Sequence, residues 1–143
     1  MKLFFDNCLS PAIPEALKLL VPQATISHLR EKFPADTKDL LWITDLGNEG
    51  GWTVVSTDAL WKVPQQVEAL HRARLTLFVF RGGFGELPLA KQAFCLLKRW
   101  DEFERIVKAA NPGDWYDVPA LRGGIRKHRH RSFRRIHGRP NAG

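Results

Sequence analysis

Short apolar runs alternate along the chain with segments whose apolar residues recur every three or four positions. The runs lie at residues 2–5, 24–29, 52–57 and 75–80, and the run at 52–57, which is rich in β-branched residues, is the clearest predicted strand. The runs are continuous rather than alternating with polar residues. This pattern is typical of strands in a parallel sheet that is covered on both faces.

The segments with helical spacing predict helices between these strands. Ser10 and Pro11 open the first helix as its N-cap and first helical residue, and Pro22 ends it. The predicted helices are residues 10–21, 36–47, 64–74 and 88–108, the last as one long helix. Because strands alternate with helices, we predict an α/β protein with three layers, α/β/α, and a mostly parallel central sheet.

The formal net charge of +7 is concentrated near the C-terminus. Residues 120–143 contain eight Lys or Arg and no Asp or Glu, whereas residues 1–119 contain 14 basic and 15 acidic residues. We therefore predict a nearly neutral domain at 1–119 and a flexible, basic tail rich in Arg and His at 120–143. Such a tail attracts polyanions through counterion release, without sequence preference. The alternative is a disordered tail that only increases solubility.

The composition excludes several classes of protein. The hydrophobic fraction of 44% is too high for a disordered chain. No apolar run reaches the roughly 18 residues of a membrane span, and Asp6 comes too early for a signal peptide. Cys8 and Cys95 have no Cys or His partner at zinc-site spacing, so we expect two free thiols. These observations predict a cytoplasmic protein.

Two of the predicted strands end at an aspartate. Asp6 follows the first strand, Asp58 follows the third, and Asp39 lies in the first turn of the helix that leads into the third. Ligands of parallel sheets bind beyond the carboxyl ends of the strands, where a compact fold can bring these acids together. A hard divalent cation such as Mg²⁺ or Mn²⁺ relieves the repulsion of crowded carboxylates and can activate a water molecule for phosphodiester cleavage.

Each acid also has a purely structural explanation. Asp6 and Asp58 can cap the segments that follow them. Asp39 can act together with Asp36 at the positive end of its helix dipole. The sequence leaves both interpretations open for each acid.

Two stretches resemble the motifs of PIN-like domains. Residues 5–11, Phe-Asp-Asn-Cys-Leu-Ser-Pro, are similar to the start of these domains. Residues 39–58 are similar to the stretch that carries their second acid and their Ser/Thr-x-Asp motif. The similarity extends over roughly residues 1–110, and the subgroup that the chain resembles is that of short PIN-like proteins allied to VapC-type toxins.

The resemblance implies an endoribonuclease that depends on Mg²⁺ or Mn²⁺. It implies that Asp6, Asp39 and Asp58 are catalytic, metal-binding acids, that Ser56 orients the metal site, and that Asn7 adds a contact beside the first acid. It also implies an antitoxin protein that inhibits the nuclease. Longer PIN domains carry extra helices that this chain lacks and a fourth acid, for which Asp36 is a candidate here although helix capping explains it better. The number of metal ions therefore stays open.

Basic residues after the later strands are candidates for binding RNA phosphate. Lys62 and Arg81 lie at the predicted sheet edge, the latter followed by a glycine-rich loop at 82–85, although an ordinary connection explains this loop equally well. The loop has no P-loop lysine, so ATP binding is unsupported. His28 ends the second predicted strand and could approach the acids, but a general base is not required when a metal supplies hydroxide.

The function that these observations favour is a metal-dependent endoribonuclease that is the toxin of a toxin–antitoxin pair. A phospho-acceptor signalling domain also places aspartates at strand ends, but it needs an acid pair after the first strand and a lysine after the last, where this chain has Asn7 and Arg81. A third hypothesis is a non-catalytic RNA-binding protein with a degenerate PIN-like body. The expected partners are RNA and a cognate antitoxin, with a homodimer as a possible assembly and no membrane.

Overall fold

In the computed structural model, which describes residues 1–57, 63–120 and 122–128, the chain forms one sheet with helices on both faces. The strands are β1 (Lys2–Phe5), β2 (Thr25–His28), β3 (Trp52–Thr57), β4 (Thr76–Arg81), β5 (Trp115–Pro119) and β6 (Arg126–Lys127). The helices are α1 (Ala12–Leu20), α2 (Leu29–Lys32), α3 (Asp39–Glu49), α4 (Pro64–Arg72), α5 (Leu89–Lys98) and α6 (Trp100–Ala109). A short 3₁₀ helix covers Phe84–Glu86.

The strand order across the sheet is β2-β1-β3-β4-β5-β6. The first five strands are parallel, and β6 is antiparallel to β5. The chain leaves β1 toward β2 on one side, whereas β3 lies on the other side of β1. The gap between the carboxyl ends of β1 and β3 is therefore the topological switch point, where ligands bind in open α/β sheets.

Each face of the sheet has its own hydrophobic core. Successive side chains of a strand point to opposite faces, so Phe5 and Phe4 of β1 enter different cores. On one face, α1, α5 and α6 contribute Leu17, Leu96 and Phe103, among others. On the other face, α3 and α4 contribute, among others, Trp42, Ile43, Leu46 and Leu70. This arrangement is the predicted three-layer α/β/α fold, and it explains why the strands are apolar without alternation.

The prediction of one long helix at 88–108 is wrong, because this segment forms two helices, α5 and α6. The break lies at Arg99, which has only 8% of its surface exposed and donates a hydrogen bond from Nη2 to Gly123 O at 2.8 Å. The apolar stripe did not reveal the break because both helices bury their apolar residues in the same core.

Strands β5 and β6 were not predicted. β5 is a five-residue segment interrupted by Asp117 and ended by a proline, so it lacks a continuous apolar run. Its neighbour β6 contains only Arg126 and Lys127, and Lys127 pairs with Asp114 at 3.2 Å. The first part of the predicted basic tail thus packs on the sheet, while residues 129–143 lie outside the described part of the chain. The division of the chain at residue 119 stays a prediction.

Among the described residues, no helix combines the length and the apolar character that crossing a membrane requires.

The burial of α1 can be tested with a matched pair of leucines. Leu17 is completely buried, whereas Leu19, on the same helix, is 84% exposed. We expect Leu17→Ala to lower the free energy of unfolding by about 2–5 kcal/mol, because it leaves a cavity in the core. Leu19→Ala should change it by less than about 0.5 kcal/mol. Urea denaturation measures both values, and equal losses would contradict the placement of α1.

Candidate functional site

The candidate site lies at the switch point between β1 and β3. Asp6 directly follows β1, and its backbone N–H donates to Val55 O at 3.2 Å, which extends the pairing of the two strands. Ser56 lies next to the end of β3. The parallel register therefore brings together two residues that are 50 positions apart in sequence.

Asp6 and Ser56 form the centre of the site. The Ser56 hydroxyl, which is fully buried, donates to Asp6 Oδ2 at 3.0 Å, and the backbone N–H of Asn7 donates to Oδ1 at 2.6 Å. Asp6 itself is only 6% exposed. Burial raises the pKa of Asp6 above its ordinary value of 3.8, although these hydrogen bonds oppose the shift. Ser56 therefore orients the carboxylate of Asp6, while its role at a metal site stays a prediction.

Cys8 is a third member of this group, which sequence analysis did not assign to the site. The residue as a whole is exposed, but its Sγ lies 3.4 Å from Asp6 Oδ2 and accepts the N–H of Thr57 at 3.4 Å. Burial of the thiol and the charge of Asp6 raise the pKa of Cys8, so the thiol stays protonated at neutral pH. No sequence signal separated this cysteine from an ordinary packed one.

Asn7 connects the site to the loop before α3. Its Nδ2 donates to Ala35 O at 2.9 Å, and its Oδ1 accepts from Arg30 Nε at 3.2 Å. The side chain is thus held by two segments that are distant in sequence. A contact of Asn7 with substrate stays a prediction, and Arg30 is a basic neighbour that sequence analysis did not identify.

Asp39 is the first residue of α3, but it does not act as the helix cap. The N-cap position is Lys38, with no side-chain capping bond. Instead, Asp39 Oδ1 accepts from Trp42 Nε1 at 2.9 Å, and Oδ2 accepts from Gln66 Nε2 at 2.6 Å. Two N–H groups from α3 and α4 therefore fix the orientation of this carboxylate. Gln66 is 27 residues away in sequence, and no local pattern indicated this contact.

The charge of Asp39 acts on the carboxylate of Asp6, and the described residues place no cation between the two acids. The charge of Asp39 contributes to the raised pKa of Asp6, so the two acids are within electrostatic range. Neither forms an ion pair with a basic residue of the described chain. Within residues 1–57, 63–120 and 122–128, no group of three or more His, Cys, Asp or Glu side chains could hold a metal ion. Asp58 and Lys62, both predicted site residues, lie outside these ranges.

Arg81 ends β4 at the same edge of the sheet, with β3 between it and Asp6. Its Nε donates to Asp117 Oδ1 at 2.6 Å, and Asp117 Oδ2 lies 2.9 Å from His128 Nδ1. Arg81 is thus at the predicted edge but is oriented by an acid on β5. Its contact with RNA phosphate stays a prediction.

His28 has a structural position. It is fully buried, its Nδ1 accepts the backbone N–H of Arg30 at 3.1 Å, and its Nε2 lies 2.8 Å from Leu9 O. These contacts fit a neutral ring that carries its proton on Nε2 and uses both nitrogens. The ring therefore has no nitrogen available to act as a general base.

The comparison with known proteins agrees with this geometry. A sequence-family model described as a PIN like domain matches residues 1–82, more than half of the chain. The matched region contains Asp6, Asp39 and Ser56. No curated protein and no solved structure matches the chain.

The desolvation of Asp6 predicts that its charge destabilises the metal-free fold. We expect Asp6→Asn to raise the melting temperature at pH 7 in EDTA by about 2–4 °C, because the variant buries no charge. The pKa of Asp6 is raised by folding, so lowering the pH protonates the folded wild type first and restores its stability. The difference between the two proteins should therefore shrink as the pH falls through this raised pKa and vanish below about 3.8.

Thermal unfolding monitored by circular dichroism between pH 3.5 and 7.5 measures this dependence. Asp45→Asn, which alters an exposed acid of α3, is the control and should follow the wild type at every pH. A less stable Asp6→Asn variant at pH 7 would contradict the conclusion that the cost of burying the Asp6 charge exceeds the gain from its hydrogen bonds to the described residues.

Proposed function

Because this chain belongs to the family of PIN-like domains, we propose that it is a metal-dependent endoribonuclease that acts as the toxin of a toxin–antitoxin pair. PIN-like domains are generally nucleases, and the proposal narrows this class to RNA as substrate and to Mg²⁺ or Mn²⁺ as cofactor. The observation that carries it is the buried carboxylate of Asp6 at the switch point of a parallel sheet, which has no basic partner among the described residues and feels the charge of Asp39.

The donors at this edge fit a hard divalent cation. Asp6 and Asp39 supply carboxylate oxygens, the ligands that Mg²⁺ and Mn²⁺ prefer. Burial raises the pKa of Asp6, which forms no ion pair with the described residues, and a cation relieves the cost of burying this charge. Asp58 follows β3 directly in the sequence and is the third proposed ligand. A bound cation would supply Lewis-acid stabilisation of the phosphate and a water of lowered pKa.

The protein side chains prepare this edge for a phosphodiester. The Ser56 hydroxyl and the Asn7 N–H hold the carboxylate of Asp6 in one orientation. Trp42 and Gln66 likewise hold the carboxylate of Asp39 in one orientation. Each Asp39 oxygen accepts one hydrogen bond and keeps a second lone pair that can bind a cation. The acids are therefore preorganised, so cation binding does not have to order them.

RNA as the substrate is supported by the charge distribution. The body of the protein is close to neutral, and the excess of basic residues lies in 120–143. The backbone N–H of His128 donates to Trp115 O. The chain therefore leaves β6 beside the beginning of β5, at the opposite edge of the sheet from Asp6. The basic residues that follow increase affinity for RNA without reading its sequence.

A non-catalytic RNA-binding protein is the second candidate. The observation that favours it is the lack of a three-ligand group in the described chain, where each Asp39 oxygen already accepts one hydrogen bond, from Trp42 or from Gln66. Tight RNA binding with no cleavage in either metal would support this candidate over the nuclease.

The nuclease proposal predicts a graded loss of activity. Asp6→Asn, Asp39→Asn and Asp58→Asn should each lower kcat/KM for RNA cleavage by at least about 100-fold, and EDTA should abolish cleavage.

Ser56→Ala, which removes only the hydroxyl that orients Asp6, should weaken Mn²⁺ binding by about 10–100-fold. Cleavage of a labelled RNA and calorimetric Mn²⁺ titration measure these effects. Asp45→Asn is the control, and full activity of Asp6→Asn or Asp58→Asn would exclude the proposed site.

The toxin proposal predicts arrest of growth when the protein is expressed in bacteria. Arrest should require the same acids, because it would arise from RNA cleavage, so Asp6→Asn should relieve it while Asp45→Asn should not. Co-expression of the product of the adjacent gene should also relieve it. Normal growth with an active, soluble nuclease would contradict the toxin role and leave the nuclease assignment intact.

A further inference from the structure

A second site lies at the same edge of the sheet, beyond β4 and β5, and we propose that it binds one nucleotide of the RNA away from the scissile phosphate. The site is a cavity of about 340 Å³, lined by Arg81, Gly82, Asp117, Pro119, Ala120 and Arg122. The inference rests on the proposed action on RNA, because it assigns a place for the substrate outside the acidic site.

The position of the cavity suits an extended strand of RNA. The strands that follow β1 across the sheet are β3, β4 and β5. Neighbouring strands lie about 4.8 Å apart, so Arg81 is displaced from Asp6 by two strand spacings, about 10 Å, and β5 by three, about 14 Å. A nucleic acid that contacts both places must therefore extend over more than one nucleotide.

The walls of the cavity are held in place by hydrogen bonds. The N–H of Ala120 donates to Arg81 O at 3.1 Å, and Cys95 Sγ donates to Ala120 O at 2.8 Å. The buried Arg99 holds the backbone of Gly123, directly after Arg122, at 2.8 Å. A cavity fixed in this way binds a ligand without first having to order its own backbone.

The charges of the lining favour a phosphate. Arg81 and Arg122 contribute two guanidinium groups, which match phosphate oxygens in geometry and charge. The carboxylate in the lining, Asp117, pairs with Arg81 and also contacts His128, so the described lining carries one net positive charge, equivalent to that of Arg122. The bond from Arg81 Nε to Asp117 also fixes the plane of that guanidinium.

The rest of the lining fits a nucleoside without base selection. Pro119 and Ala120 are apolar, and Gly82 has no side chain, so these residues offer no side-chain polar group to the edge of a base. Bases stack on guanidinium planes and apolar surfaces irrespective of their identity. The volume of the cavity lies at the lower end of the range for small-molecule sites, and this size suits one nucleotide. Arg81 and Gly82 lie within the matched family region at 1–82, whereas the other lining residues lie outside it.

Nuclear magnetic resonance tests the site independently of catalysis. The full-length, ¹⁵N-labelled protein in EDTA is titrated separately with an octamer of uridine, with uridine 5′-monophosphate and with inorganic phosphate. We expect the amide signals of Gly82, Ala120 and Gly123 to shift with the octamer and with the monophosphate, and less with phosphate alone. Equal shifts with phosphate alone would overturn the assignment to a nucleotide.

A matched pair of arginines tests the contribution of the cavity to RNA affinity. Arg122 and Arg105 are both exposed, but Arg105 lies on α6 and does not line the cavity. We expect Arg122→Ala to weaken binding of the octamer about 5–10-fold and to reduce the slope of log K against log salt by about 0.7 more than Arg105→Ala does. In cleavage assays, Arg122→Ala should raise KM and leave kcat unchanged.

The outcomes separate this inference from the proposed function. Absence of cleavage by the wild type in either metal would remove the nuclease assignment, while the titration would still decide on the nucleotide site. Unmoved cavity amides, or equal losses of affinity in the two arginine variants, would overturn the site. Larger shifts with an octamer of aspartate than with the RNA would overturn it as well and would assign the cavity to an acidic protein partner.

Discussion

The burial of the Asp6 carboxylate beside the end of β3 is the constraint on which the functional edge depends. A desolvated charge is unfavourable, and the pKa of Asp6 is raised accordingly. The fold provides hydrogen bonds from Ser56 and from the backbone of Asn7 but no cation among the described residues. The described residues therefore compensate only in part for the energy lost in burying this group.

This constraint follows from the architecture of the sheet. Both faces are covered by helices, so side chains within the strands must be apolar, and polar groups collect where the strands end. Asp39 extends the polar edge onto the helical layer, since Trp42 reaches it from the core that α3 forms with the sheet. Changes in the packing of that core are thus transmitted to the orientation of the second acid.

The same edge has two chemically different halves. Around β1 and β3 it presents acidic oxygens, whereas around β4 and β5 it presents the guanidinium of Arg81, which is paired with Asp117, and that of Arg122. A polyanion cannot bind the acidic half without a cation, but it can bind the basic half directly. This division fits a substrate whose reacting phosphate needs a metal while its neighbouring nucleotides do not.

The sequence by itself determined the elements whose signals are local. Continuous apolar runs located β1, β3 and β4, and the abrupt change to a polar residue placed Asp6 and Arg81 at the ends of strands. The clear strand signal of β3 placed Ser56 near the carboxyl end of that strand. The layered fold followed from the alternation of these runs with helical segments.

Only the tertiary structure decided the contacts between distant segments. The bond from Gln66 to Asp39 joins residues 27 positions apart, and that from Arg81 to Asp117 joins residues 36 apart. The break at Arg99 and the pairing of β5 with β6 likewise depend on groups that meet only after folding. A local pattern records the propensity of a segment and the face that it buries, whereas the partner of a polar side chain is set by the packing of whole elements. For this reason the acids were visible in the sequence, while the contacts of Trp42 and Gln66 with Asp39 and the cavity beyond β4 were not.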